Sequence, residues 1–463
     1  MAWAGKALVR NWLSILGMVI VTISAVLFLI VFLLDLFGFH RSPYGGIVFF
    51  LIMPAFFIGG LVLIPIGMWR ERRRIKAGGP ARTQWPRVDL NEPAHRRTAI
   101  MVFTLTMVNV VIVSLAAYKG IEFMDSPAFC GQVCHEVMEP EFAAFQDGPH
   151  SRVSCVQCHI GPGAPWFVRS KLDGTRQVVA VLLNSHSRPI PSPVHNLRPA
   201  REVCEQCHWP EKFHGDMVLV KREYADDEAV SETVTTLRVK VGGGSEKLGV
   251  ATGIHWHMNV ANEVEYIATD DKRQVMGYIK VKDRTGAVRE YFADGVTEEQ
   301  LAKGERRIMD CVDCHNRPTH AFFPSAEAAV DAAIASGELP KLPFVRREAV
   351  AALKVNHPSS ESAAEDIGAR LLNFYRSLNS TNGDGAGATV YSSRQADVDR
   401  AVQATQRLYS RNVFPRMNVT WGTYPNNIGH MSAPGCFRCH DDQHKTRDGR
   451  TIKQDCDLCH EIE

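Results

Sequence analysis

Cys155-Val-Gln-Cys158-His159 is the stretch on which the reading of this chain turns. Two thiols three residues apart, followed at once by an imidazole, are what covalent attachment of a porphyrin requires. The thiols add to two vinyl groups on one edge of the ring, and the histidine swings beneath it to bind the iron. The pattern recurs at Cys204-Glu-Gln-Cys207-His208, Cys311-Val-Asp-Cys314-His315, Cys436-Phe-Arg-Cys439-His440 and Cys456-Asp-Leu-Cys459-His460. A sixth version, Cys130-Gly-Gln-Val-Cys134-His135, has one extra residue between its cysteines. Together the six motifs use all twelve cysteines. A zinc site would not demand a histidine directly after every second cysteine, and a disulfide framework would not sort every cysteine into such short pairs. The sequence therefore predicts six covalently bound haem c groups, each with its iron.

Each motif supplies one axial histidine: His135, His159, His208, His315, His440 and His460. Further histidines crowd the same part of the chain, and a second imidazole on the far side of each iron is the natural use for them. His320 follows His315 by five residues and His150 precedes the second motif, so both are favoured. His255 and His257 flank Trp256; alternation along a strand would point them to the same face. His430 and His444 bracket the fifth motif. His186, His195 and His214 remain open, and His357 reads as structural. Met138, three residues after His135, is either a thioether ligand, which would raise the potential of its haem, or ordinary packing.

The 463 residues carry 52 basic and 50 acidic side chains, a balance that gives no reason to expect nucleic acid as a partner. The first 118 residues are far more apolar than the rest. Runs at 12–37, 44–69 and 99–118 each approach or exceed the ~20 residues needed to cross a bilayer as a helix. The first is too long for a signal-peptide core. Lys6 and Arg10 precede it, and Arg70, Arg72, Arg73, Arg74, Lys76 and further arginines fill the loop after the second; basic loops stay cytoplasmic. Three spans from a cytoplasmic N-terminus would place everything after residue 118 in the periplasm of a bacterial inner membrane, the side on which haem c is attached. Asp35, near His40 and Arg41, reads as an interfacial group.

The expected architecture is a membrane-anchored multihaem cytochrome, mostly α and loop, with three N-terminal transmembrane helices and a small β-rich insert. Its regions are a three-helix anchor with a basic cytoplasmic loop (1–118), a three-haem region (119–216), the β-rich insert (217–304), the fourth haem with a helical segment (305–425) and a two-haem tail (426–463). Strand-like runs lie at 234–241 and 264–267, with a hairpin around Lys282-Asp-Arg-Thr-Gly286. Helical stretches lie at 325–334, 362–375 and 397–408.

The stretch Phe129-Cys-Gly-Gln-Val-Cys-His-Glu-Val-Met138, then Gly148-Pro-His150, Cys155-Val-Gln-Cys-His159, Trp166-Phe-Val-Arg-Ser-Lys171 and Cys311-Val-Asp-Cys-His-Asn-Arg-Pro-Thr-His320, resembles the NapC/NirT family of membrane-anchored quinol dehydrogenases. The resemblance covers roughly residues 100–215 and 305–322 and is closest in kind to larger relatives that add haems at the C-terminus. It implies a first haem at the membrane surface beside a menaquinol pocket, ligation by Met138, distal ligation by His150 and His320, and a pocket lined by Lys171. Here the first motif and its methionine are each spaced one residue wider than the family's usual pattern. The family's acid two turns beyond the lysine is replaced near Gln177 and Val178, leaving Asp173 as the nearest carboxylate.

The resulting expectation is a quinol-oxidising electron-transfer protein. Menaquinol from the membrane quinone pool would be the donor, with Lys171 and Asp173 orienting the quinol oxygen or taking a proton. A periplasmic cytochrome or reductase would be the acceptor. Three other readings stay open: a haem relay docked to another quinone-reactive membrane subunit, a terminal reductase with an open iron position, and an anchor that only tethers a partner enzyme. The extra apolar runs leave room for membrane-complex subunits or a homo-oligomer.

Overall fold

The computed structural model describes residues 11–36, 53–80, 89–97, 99–101, 103–104, 118–119, 122–133, 135–161, 163–194, 197–209, 212–213, 215–242, 253–258, 262–283, 285–379 and 388–463. Two compact units result: residues 1–123 with 161–173, and residues 124–160 with 174–463.

The first unit is built on two helices, α1 (Trp12–Leu36) and α2 (Met53–Lys76). They pack antiparallel through small residues: a Cβ on Gly17 would lie 2.7 Å from the Gly60 carbonyl oxygen, so the backbones touch where only hydrogen fits. Ser14 Oγ donates to the Ile64 carbonyl at 2.9 Å, closing the contact with a hydrogen bond between helices.

The expected three-helix anchor is corrected here. Among the described residues, no helix is long and apolar enough to cross a membrane. In α2 the apolar part ends at Trp69, before Arg70, Glu71, Arg72, Arg73, Arg74 and Lys76. Residues 53–69 reach only ~26 Å as a helix, short of the ~30 Å hydrocarbon core. In α1 the side chains beyond Leu27 lie outside the described residues, as do Asp35's side chain, His40, Arg41 and most of the run at 99–118.

The second unit carries α3 (His135–Gln146), the later part of α4 (Ala164–Leu182), two antiparallel sheets and a helical module. The first sheet has the order β1 (Asp216–Tyr224), β2 (Glu232–Lys240), β7 (His460–Ile462). The second runs β5 (Val288–Phe292), β4 (Met276–Lys282), β3 (Glu263–Ala268), β6 (Glu305–Ile308). A mostly helical chain with one β-rich insert is therefore also corrected: this is a mixed fold with two sheets. β6 and β7 lie outside the expected insert, and β7 comes from the last residues of the chain, where Leu237 pairs with Ile462 and Val239 with His460. Four or fewer residues with charged side chains give no periodic signal, and their pairing is fixed by distant strands. The runs at 234–241 and 264–267 lie in β2 and β3, and β4 and β5 form the hairpin at Lys282–Gly286.

The helical module holds the largest apolar core. It comprises α5 (Ala326–Ser336), α6 (Val345–Leu353), α7 (Ser360–Ser377) and α8 (Gln395–Asn412). Val330, Leu339, Leu353, Ile367, Leu371, Tyr375, Val398 and Leu408 interlock at its centre. Ser325 caps α5 by accepting from the Ala328 N–H, and Gly337 ends it at φ 76°, the left-handed position that glycine takes without strain. A smaller cluster of Phe414, Met417, Val419 and Tyr424 packs against Val137 and Ala143 of α3, tying the module to the first motif.

Candidate haem sites

Every described motif is a single tight turn. Cys155–His159 and Cys311–Cys314 are α-helical, Gly435–Arg438 and Cys456–Leu458 are 3₁₀, and the third motif leaves the helix Ala200–Cys204 as a turn in which the Cys207 N–H donates to the Cys204 carbonyl at 3.1 Å. A turn of this kind puts residues three apart on one side, so both thiols meet one ring edge. The histidine is held by its own N–H, which donates to the carbonyl of the first cysteine at 2.8 Å in His208 and His315 and 3.0 Å in His440. The first motif differs in winding. Phe129–Val133 is a π turn. At ~4.4 residues per turn, π winding gives residues four apart nearly the angular relation that residues three apart have in an α-helix. The three residues that follow Cys130 in the motif all lie in this turn. Cys134 and the His135 side chain lie outside the described residues, as do His195 and His214.

The motif histidines face other histidines. His159 lies opposite His320 with ring centroids 6.2 Å apart, and His208 opposite His150 at 6.1 Å. His315 lies opposite His255 at 6.4 Å, His440 opposite His257 at 5.9 Å, and His460 opposite His430 at 6.1 Å. An imidazole nitrogen binds a metal at ~2.0–2.1 Å with its ring centre a little over 1 Å behind, so two rings sharing one metal sit roughly 6.3 Å apart. The five separations fit that value.

Hydrogen bonding at the other ring nitrogen fits too. Nδ1 points at a backbone carbonyl in His255 (Val241, 3.0 Å), His257 (Ile254, 3.0 Å), His320 (Glu141, 2.8 Å) and His440 (Lys453, 2.9 Å). A proton fixed on Nδ1 leaves the Nε2 lone pair for a metal. Burial lowers the pKa of His159, His257, His315 and His320, keeping them neutral and able to ligate.

His444 is different. It is buried, with Nδ1 3.0 Å from Asp441 and Nε2 2.9 Å from the Met276 carbonyl oxygen. Both nitrogens are engaged, so the structure does not bring it into a pair. His255 and His257 do not share a strand face either. They lie on the 3₁₀ turn Ile254–Met258, where a two-residue step at three residues per turn sends them apart, one to His315 and one to His440. Met138 is half-buried on α3, about one turn beyond His135.

Neighbouring motifs touch in chain order. The Cys130 thiol is hydrogen-bonded to Cys155 and lowers its pKa to about 7. Burial, with Cys204 and Cys207 close by, pushes Cys158 up. Cys204 is lowered and Cys311 raised by the hydrogen bond between the two free thiols. Burial lifts Cys314 to about 11, with Cys436 nearby, and raises Cys459, also near Cys436. The backbone repeats the sequence of contacts. Ala200 N–H, at the third motif, donates to Asp310 before the fourth at 2.8 Å, and Arg438 in the fifth donates to the Asp313 carbonyl in the fourth at 2.6 Å.

One supporting residue was not foreseen. Glu141 is buried on α3, accepts from Arg317 Nη2 at 2.6 Å, and offers its carbonyl to His320 Nδ1. Its place two turns beyond the first motif gave no hint of a partner 179 residues away. Lys171 and Asp173 lie on α4 in the first unit, with the Lys171 ammonium 4.9 Å from the centre of the Phe167 ring. Two residues apart on a helix, they point to different sides and do not form one cluster.

Paired thiols on tight turns, each followed by a histidine and most set opposite a second imidazole, define a multihaem c-type cytochrome. The chain belongs to the NapC/NirT cytochrome c family: the model of that family's N-terminal region matches residues 92–189. It is also 42% identical over 456 residues, 98% of this chain and 88% of the relative, to the cytochrome c-type protein ImcH of Geobacter sulfurreducens. No solved structure matches. Membership carries covalently bound haem c and electron transfer with it.

Proposed function

We propose that the chain is a six-haem cytochrome of the bacterial inner membrane that oxidises menaquinol and delivers the electrons to a periplasmic cytochrome or reductase. The observation that carries this reading is the set of five imidazole pairs 5.9–6.4 Å apart. Bound haem c supplies the one-electron chemistry. The polypeptide does the rest. Cysteines anchor each ring edge, and the carbonyls of Val241, Ile254, Glu141 and Lys453 aim the imidazoles. Motifs that touch in chain order support transfer from the first to the sixth, with entry near Cys130 and exit near His460. The two imidazoles of each of the five pairs would hold an iron bound there and leave it no open position, which weighs against a terminal reductase.

Exposed Trp12, Val19 and Ile23 on α1 and Phe56, Ile58 and Val62 on α2 support association of the first unit with the membrane. The haem-bearing unit then belongs in the periplasm, where haem c is attached. The quinol gives up two electrons one at a time and two protons, leaving quinone. Lys171 is the group proposed to meet its oxygen and take a proton; Asp173, on another side of the helix, is the proposed outlet. Replacing Lys171→Met in the full-length protein should leave haem content unchanged and slow reduction by a menaquinol analogue by ~10²-fold. Stopped-flow absorbance reads the rate, and an unaltered rate would remove Lys171 from the mechanism.

A further inference from the structure

His186 is the histidine that the five pairs do not use and the fold does not explain. Both its ring nitrogens are enclosed, and neither has a hydrogen-bond partner. Among the described histidines it is alone in this. Buried polar atoms are nearly always bonded, so an imidazole enclosed with both nitrogens unbonded points to a partner that is not protein.

Its position indicates which one. The Arg188 guanidinium lies 3.6 Å from the Glu136 carboxylate, next to His135. The carbonyl of Arg188 accepts from Asn418 Nδ2 at 3.3 Å, and that of Ile190 accepts from the Tyr424 hydroxyl at 3.0 Å. Ile190 packs with Val137 and Ala143 of α3 on one apolar cluster. Residues 186–190 thus run beside the turn of α3 that begins at His135. The motif histidines of the other five sites already face His320, His150, His255, His257 and His430. Of the described free histidines left over, His444 has both nitrogens bonded, and His357 is stacked on Tyr409 with Nε2 3.6 Å from Asp366; His195 and His214 lie outside the described residues.

We infer that His186 is an axial ligand of the iron held at the first motif. This rests on the six-haem reading and completes it, since the five pairs already use the motif histidines of the other five sites. It also gives Met138 a rival: the first iron has a histidine from outside its own motif, and the motif helix supplies the opposite ligand.

The test uses the full-length, haem-loaded protein with His186→Ala and His186→Met. Haem per chain is counted chemically, spin state is read by electron paramagnetic resonance, and midpoint potentials by optical titration. With His186→Ala, one haem of six should turn high-spin, and added imidazole should restore it. With His186→Met, all should remain low-spin while one midpoint potential rises, because a thioether raises the potential. Where the alanine variant does not mature, the methionine variant alone decides. Unaltered spin states and potentials, with six haems present, would overturn the assignment of His186 and leave the six-haem reading standing. Five haems in the unmutated protein would overturn that reading and this assignment with it.

Discussion

A ring nitrogen already bonded to protein cannot bind iron, and this separates His257 from His444. His257 spends Nδ1 on the Ile254 carbonyl and faces His440, whereas His444 uses both nitrogens, on Asp441 and on the Met276 carbonyl. The His257→Ala variant should convert one low-spin haem to high-spin. The His444→Ala variant should leave every spin state alone and cost ~1–3 kcal/mol of stability through the bonds it breaks. Electron paramagnetic resonance and denaturant titration of the two variants check this, and a spin change in His444→Ala would reverse the distinction. Proximity in sequence treated the two histidines alike, because both sit near haem motifs. The discriminating signal was Asp441, three residues before His444, a carboxylate able to occupy Nδ1. The CxxCH motifs, by contrast, could be read directly, since their spacing is a local property of the sequence. Glu141 was not, because its role depends on Arg317 and His320 arriving from far along the chain.

At the scale of elements, what was legible depended on how local the cause is. Three of the four helices of the cysteine-free module announce themselves through apolar spacing, at 325–334, 362–375 and 397–408, whereas α6, only nine residues long, was not read. β7 does not: three residues pair with β2 at the far side of the sequence, and Glu463 N–H donates to the Thr236 carbonyl at 2.9 Å. Because β7 begins at His460, it also holds the sixth motif. Removing residues 461–463 should shift one midpoint potential and spare the others; an unchanged titration curve would show that β7 has no such hold. The interior of the helical module, apart from the cluster that ties it to the first motif, should behave independently of the haems. Leu371→Ala, at a position 1% exposed, should lower stability by ~2–5 kcal/mol while the visible spectrum of the folded protein stays the same. A changed spectrum would tie the module to a haem. The apolar N-terminal runs misled in a definite way. Length and hydropathy suggested three spans, but the arginines that end α2 also cut its apolar part short.

For the whole molecule, the pattern of neighbouring thiols is the new information. Among the described residues, the cysteine approaches link each motif to the one before or after, from Cys130 beside Cys155 to Cys459 near Cys436. An unbranched path in chain order is the simplest arrangement that such contacts describe, and sequence spacing, irregular from motif to motif, could not have shown it. The near balance of 52 basic and 50 acidic residues means that no strong overall field selects the partner; recognition falls to local surfaces at the two ends of the path. The central claim is that electrons from menaquinol enter this path. It is tested most directly by anaerobic optical titration of the full-length protein in membrane vesicles with a menaquinol analogue. The c-type haems should become reduced, with absorbance growing as the analogue is added. Haems that stay oxidised under the analogue, yet are reduced by a chemical reductant, would contradict it.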